Sequence, residues 1–191
     1  GHPDCRLRAV VEPLNDKRQA AAEQHNVQAF ESLNAFLTQR PEVEVVCIAT
    51  PNNLHTQQAE ALLNAGYHVV IEKPMGLSAE ACNRVIAAKN DKQHIFCVMQ
   101  NRYTPSAQWL KQIVTSGRLG KLVYVGVNCF WNRDTRYYSP GGWRGTIAQD
   151  GGTLFTQFSH FVDMMYWLFG EVTDIQAQVD NLTHSDSIAI E

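Results

Sequence analysis

The chain has 191 residues, enough for one domain with a real core or for parts of two. Hydrophobic residues make up 45%, charged residues 18%, and the formal net charge is −3. That balance belongs to a globular protein and excludes a nucleic-acid surface, which needs clustered excess Lys and Arg. The longest apolar runs, such as residues 43–49, contain Glu44 and fall far short of a membrane span, and the first residues do not read as a signal peptide. The five cysteines are widely spread, and Cys47, Cys97 and Cys129 sit in apolar strand-like runs. This predicts reduced thiols in a cytoplasmic protein, with neither a disulfide frame nor a metal site.

In chain order, residues 7–11 read as a strand ended by Glu12-Pro13. A helix over 15–26 follows, with Asn15 as its expected N-cap and an Ala-rich body. A short strand near 27–30 and a helix over 32–38 come next. Residues 43–49 predict a buried strand, broken by Thr50-Pro51-Asn52-Asn53. A helix over 55–64 stops at Gly66. The run HVVIEKP over 68–74 is a buried parallel strand ended by a charged pair and a proline, which cannot extend a central strand. Ser78 caps a helix to about residue 90, and 94–99 is a further strand. Strands alternating with helices predict an α/β, Rossmann-like doubly wound parallel sheet.

The pattern changes near Arg102, which divides the chain into 1–102 and 103–191. A helix over 106–116, an alternating strand over 121–130, a helix over 153–169 and a strand over 172–179 predict an α+β domain with a mostly antiparallel open sheet. No G-x-G-x-x-G precedes Leu7, so the chain opens at what reads as the second strand of a dinucleotide-binding sheet. It stops inside the second sheet, at 188–191. The expectation is a portion of a longer protein with the first strand missing.

In open α/β sheets ligands bind beyond the carboxyl ends of the strands. Polar residues collect there: Glu12, Thr50, Pro51, Asn53, His55, Glu72, Lys73, Gln100 and Arg102. These are the expected cofactor-binding residues. Glu12 stands where an acid hydrogen-bonds the adenosine ribose, which favours NAD, since the 2′-phosphate of NADP would be repelled. The bland alternatives are a turn-initiating acid at Glu12, ordinary turn chemistry at Thr50–Asn53, and a surface ion pair at Glu72-Lys73. Along DGGTLFTQFSHFVD (150–163), Thr156, Gln157, His160 and Asp163 recur at helical spacing on an otherwise apolar helix. Imidazole is suited to taking a proton near neutral pH, although a lone histidine there would be a core residue by default. The loop WNRDTRYYSPGGWRG (131–145) carries Trp131, Arg133, Arg136, Tyr137, Tyr138, Trp143 and Arg144, which suit sugar rings and carboxylate or phosphate, or equally an oligomer contact.

Three stretches together resemble the Gfo/Idh/MocA oxidoreductases: Thr50-Pro51 with His55 (T-P-x-x-x-H), Glu72-Lys73-Pro74 (E-K-P), and Gly151-Gly152 with His160 and Asp163 (G-G…H-x-x-D). The resemblance implies an NAD(P)-dependent dehydrogenase of a sugar or polyol. Lys73 would polarise the reacting oxygen and His160 would move its proton, while the cofactor carries the hydride. Many members hold an aspartate four residues before the histidine; this chain has Thr156, which leaves open whether His160 or Lys73 is the main base. The 131–145 loop with Gln157 looks most like the branch that oxidises nucleotide-linked N-acetylhexosaminuronic acids at C3. Lys73, Arg133, Tyr138, Trp143, Arg144, Gln157, His160 and Asp163 are then the expected substrate residues. A dehydrogenase of a free polyol or monosaccharide, and a non-catalytic NAD-binding regulator, are the other readings. Family members pair through the open sheet of the second domain, so a homodimer or homotetramer is expected.

Overall fold

Short apolar runs bounded by turn residues make the strands. In the structure, a computed structural model that describes residues 3–134, 136–138 and 142–180, they are β1 Ala9–Val11, β2 Gln28–Phe30, β3 Val45–Ile48, β4 His68–Ile71 and β5 Ile95–Cys97. Helices α1 Asn15–His25, α2 Leu33–Gln39, α3 His55–Asn64 and α4 Ala79–Ala88 alternate with them. Ser32 and Ser78 cap α2 and α4, their hydroxyls accepting the Ala35 and Ala81 N–H groups. The expected cap at Asn15 does not form. Asn15 is already the first residue of α1, and its side-chain oxygen accepts from Arg18 at 2.9 Å instead. After α3 the chain turns at Gly66 with φ +99°, a conformation that a Cβ would strain.

All strand pairs are parallel. β1 pairs with β2, and β3–β4–β5 form a second ladder with β4 in the middle. Parallel strands connected through helices make a doubly wound α/β unit. Among the described residues β1 and β3 are not hydrogen-bonded to each other. The buried strand expected over 43–49 is shorter and only half covered. Ile48 is buried, but Val45 and Cys47 are exposed. α3 packs against β3, and the alternate residues Val45 and Cys47 stand on its exposed side.

The core lies between these strands and helices. Phe30, Phe36, Ile48, Ala59, Leu62, Leu63, Tyr67, Val69, Ile71 and Val85 form it, with Val69 and Ile71 fully covered on the central strand. Phe30 and Phe36 meet edge to face at 5.4 Å. Buried Gln93 donates to the Leu63 and Tyr67 carbonyls at 2.7 and 2.9 Å, so its amide is satisfied. Leu62→Ala is expected to lower the free energy of unfolding by about 2–5 kcal/mol, read from a urea titration, because close-packed neighbours cannot collapse into the space.

Beyond residue 103 come α5 Pro105–Thr115, α6 Thr153–Thr156 and α7 Ser159–Phe169. The single helix expected over 153–169 is two helices. The Phe158 N–H reaches back to the Thr153 carbonyl, one residue past the α-helical partner, and the chain breaks at Gln157 and Phe158. The strands expected over 121–130 and 172–179 do not form among the described residues. Among the described residues nothing pairs with them, and Val123, Tyr124 and Phe130 stand out in solvent. Alternation is a local pattern, whereas a strand exists only with a partner. The expected sheet residues 188–191 lie outside the described residues. Among the described residues no helix is long and apolar enough to cross a membrane.

Candidate active site at the strand ends

β4 ends where Pro74 forbids further pairing, which delivers Glu72 and Lys73 to the carboxyl edge of the sheet. A cavity of about 260 Å³ opens there. Ala49, Thr50, Asn52, His55, Glu72 and Lys73 line it from the strand ends, and Tyr137, Trp143, Arg144 and Thr156 line it from the later part of the chain. The Lys73 ammonium donates to the Thr156 carbonyl at 2.8 Å. Thr156 is the last residue of α6, so the break between α6 and α7 is where the lysine docks. One of the three N–H donors of the ammonium is thus used, and two remain for a ligand oxygen.

His160 sits in the first turn of α7. Its Nδ1 is buried without a partner among the described residues. Its Nε2 lies 3.5 Å from the Gln100 side-chain nitrogen, at the outer limit of a hydrogen bond. The helix that carries it is fastened from two sides. Arg102 donates through Nε to Asp163 at 2.8 Å and through Nη2 to the other carboxylate oxygen. Lys111 donates to the Trp167 carbonyl near the C-terminal end of α7. Arg102 and Asp163, expected on cofactor and substrate, are joined to each other and position His160 one turn away.

The arginine-rich loop forms a wall. Arg133 lies over Trp131 and Tyr137 at 4.6 and 4.3 Å, and Arg144 lies over Trp143 and Tyr137 at 4.8 and 5.1 Å. Two guanidiniums therefore share one tyrosine, each contact contributing about 0.5–1 kcal/mol where exposed. In the orientation that satisfies its neighbours, the Gln157 amide oxygen accepts from the Tyr137 hydroxyl at 2.7 Å and from Arg133 at 3.2 Å, and its nitrogen donates to the Thr156 hydroxyl. Gln157 is spent on the wall itself. Tyr138, expected on the substrate, is buried behind Tyr137, and Tyr137 is the one that lines the cavity. Exposed Arg136 is held by Asp134.

The other expected cofactor residues divide. Thr50 lines the cavity and donates to Gln58 at 2.8 Å, while Asn53 is exposed away from it and Pro51 does not line it. Glu12 accepts the Leu14 N–H at 2.9 Å, closing the turn into α1. His55 is fully buried, with Nδ1 2.7 Å from the Pro74 carbonyl and Nε2 2.8 Å from the Thr50 carbonyl. It ties the turn after β3 to the turn after β4. Two residues escaped the sequence reading. Asn52 is buried and donates to the Asp150 carbonyl at 3.0 Å, and Asp150 is buried behind the wall. Sequence does not distinguish Asn52 from Asn53; only the turn geometry does.

Burial depresses the pKa of both Lys73 and His160, and the Lys73 charge depresses that of His160 further. Burial lowers the Lys73 pKa, against Glu72 and Asp150, with Arg133 and Arg144 adding to the depression. Burial first, then the Lys73 charge, lowers that of His160, against Asp163 and Glu72. His160 is therefore neutral at pH 7, a form with a lone pair able to accept a proton. A depressed imidazole binds fewer protons folded than unfolded just below the ordinary 6.5. Its contribution to stability is thus complete above 6.5 and is lost as pH falls through the folded midpoint. An NMR titration of the His160 ring is expected to give a midpoint below 6.5 that rises, but not fully, in Lys73→Met, because burial is untouched.

Two family models match in succession: one described as "Oxidoreductase family, NAD-binding Rossmann fold" over residues 1–100, and the "GFO/IDH/MocA C-terminal domain" over 107–190. A levoglucosan dehydrogenase of Pseudarthrobacter phenanthrenivorans is 30% identical over 92% of this chain and 46% of its own length. An inositol 2-dehydrogenase of Salmonella typhimurium is 31% identical over 85% of this chain and 46% of its own. Among solved structures, the WlbA dehydrogenase of Chromobacterium violaceum, in complex with NADH and UDP-GlcNAcA, has 35% identity and a TM-score of 0.89, covering 97% of this chain and 53% of that one. The WlbA dehydrogenase of Bordetella pertussis, with the same two ligands, has 36% identity and a TM-score of 0.82 over 86% of this chain and 49% of that one. The chain spans about half the length of these relatives. With both models in sequence order on a parallel α/β unit, the chain belongs to the GFO/IDH/MocA family of oxidoreductases.

Proposed function

We propose that this protein is an NAD-dependent dehydrogenase of a secondary hydroxyl on a sugar, and that the sugar is a nucleotide-linked N-acetylhexosaminuronic acid. The observation that carries the reading is Lys73 with donors left over beside the Thr156 carbonyl, near enough to His160 for its charge to lower the imidazole pKa, and two guanidiniums stacked on Tyr137, which lines the same cavity. The residues at the cavity fit one end of a dinucleotide: Thr50 and Asn52 with Glu72 and Lys73 surround a space of about 260 Å³, room for a ring rather than for a whole cofactor. Thr50, Asn52 and Glu72 would hold the nicotinamide end and Glu12 the adenosine ribose. When bound, NAD supplies the hydride acceptor. Oxidation of the carbinol also releases the hydroxyl proton, and that proton falls to this chain. Lys73 donates to the oxygen and holds it, and His160 takes its proton. Arg133 and Arg144 would bind the carboxylate or the diphosphate.

The two WlbA structures were solved with a sugar of this class, which supports the substrate assignment. A division into a dinucleotide part (1–102) and a sugar part (103–191) is part of this reading, supported by the order of the two sets of lining residues. We also propose that the exposed apolar segments 121–130 and 172–179, unpaired among the described residues of one chain, become an open sheet when copies pair as a homodimer or homotetramer, a state that light scattering would reveal. The functional test mixes the full-length protein with NAD, then with uronic nucleotide sugars, inositols and anhydrosugars, and follows NADH absorbance. Turnover restricted to an acidic nucleotide sugar is the expected result. Turnover only of free polyols would move the substrate to the class named for the inositol and levoglucosan relatives. NAD binding with no turnover would indicate a regulator.

A further inference from the structure

Asp150 is a buried charge with no part so far in the chemistry. It is only 3% exposed. Its Oδ2 accepts the Gly145 N–H at 2.9 Å, and its Oδ1 has no partner among the described residues. A buried carboxylate oxygen without a donor is costly unless nearby charge compensates it. Burial raises the Asp150 pKa, and the Gly145 N–H with two cations, Arg144 and Lys73, offsets it in part by favouring the ionised form. The backbone of the same residue is tied twice. Its N–H donates to the Thr146 carbonyl at 3.0 Å, and its carbonyl accepts from Asn52 at 3.0 Å. Residue 150 therefore closes the 145–150 turn from inside and fastens that turn to the strand-end loop. Trp143 and Arg144 sit at the mouth of the turn and line the cavity, while Asp150 does not.

We propose that Asp150 is a positioning residue for substrate recognition: its carboxylate closes the 145–150 turn, so holding the Trp143–Arg144 wall against the strand-end cavity, and balances the two cations there. The inference rests on the dehydrogenase reading above. Asp150 does not touch the reacting atoms, and its role runs through Arg144 and through the charge on Lys73. Around Lys73 the charged groups are Glu72, Asp150, Arg133 and Arg144, with the titratable His160 also near it. Removal of the Asp150 charge leaves Glu72 as the remaining carboxylate opposing the cations.

The two halves of the role separate in two variants. Asp150→Asn keeps an oxygen for the Gly145 N–H and loses the charge. Asp150→Ala loses both. Each is made in the full-length protein, with Arg144→Ala, Asp150→Ala/Arg144→Ala and Lys73→Met alongside. KM, kcat and the pH profile are measured with the uronic nucleotide sugar, and its Kd by calorimetry with NADH present. Asp150→Ala is expected to raise KM and Kd about tenfold with kcat changed much less, the size of one lost hydrogen bond to a charged group. The double variant should bind no worse than Arg144→Ala, because both changes act through one wall. Asp150→Asn should restore KM to within about twofold of the parent while the alkaline limb of the profile moves to lower pH. Additive losses in the double variant would overturn the proposal, as would an unshifted alkaline limb in Asp150→Asn. So would equal losses on every substrate accompanied only by a lower Tm. If the parent turns over and Lys73→Met does not, such a result sinks the Asp150 role alone. A parent that neither binds nor oxidises any sugar sinks the dehydrogenase reading and this inference with it.

Discussion

Lys73→Met is expected to lower kcat on the sugar substrate by about 10³-fold or more, with NADH affinity changed far less. Methionine matches the length of the lysine stem and fits the same half-buried channel at the end of β4. What disappears is the ammonium that donates to the Thr156 carbonyl and offers its remaining donors to the substrate oxygen. In a cavity partly closed to water, a donor aimed at developing negative charge on that oxygen is worth several factors of ten. The fold should survive. Burial already disfavours the charged lysine, so its removal relieves that cost, against the loss of one hydrogen bond of about 1 kcal/mol. Steady-state NADH absorbance, NADH fluorescence titration and a thermal melt separate the three effects.

His160→Ala is expected to lower kcat/KM by about 10²–10⁴-fold, the usual span for a lost proton acceptor. Where many relatives carry a carboxylate one turn before the histidine, this chain has Thr156, whose hydroxyl donates back to the Gly152 carbonyl at 3.1 Å. Asp163 and Glu72 raise its basicity, but burial and the Lys73 charge outweigh them and lower it. In the proposed mechanism the imidazole acts as a weak but neutral base. Added imidazole should recover part of the activity of the alanine variant, and the acid limb of the pH profile should vanish. A loss below about tenfold with that limb intact would make Lys73 the main base.

Much of the first unit was legible in the sequence. β4 was read at its observed bounds because a β-branched run stands between Gly66 and Pro74, and Ser78 caps α4 as read. The place of Lys73 at the strand-end cavity was legible for the same reason, because the run stops at a charged pair and a proline. What failed depended on tertiary partners. The apolar period runs unbroken through 153–169, yet the chain breaks at Gln157, whose amide is engaged by Tyr137 and Arg133. Residues 121–130 alternate as a strand should, but alternation carries no information about whether a neighbour is present. Adjacent equivalents were not separable either. Tyr137 faces the cavity while Tyr138 is buried behind it, and Asn52 turns in while Asn53 turns out. Asp150 was read as the opener of a helix, and its buried carboxylate emerges only when the 145–150 turn closes around it.

The most direct test of hydride transfer at this site uses the uronic nucleotide sugar carrying deuterium on the carbon that bears the reacting hydroxyl. After a single turnover the reduced dinucleotide is isolated and weighed by mass spectrometry. One deuterium in the reduced cofactor, absent with Lys73→Met, is the predicted result. Reduced cofactor without the label, or unlabelled sugar consumed with no reduced cofactor at all, would contradict it.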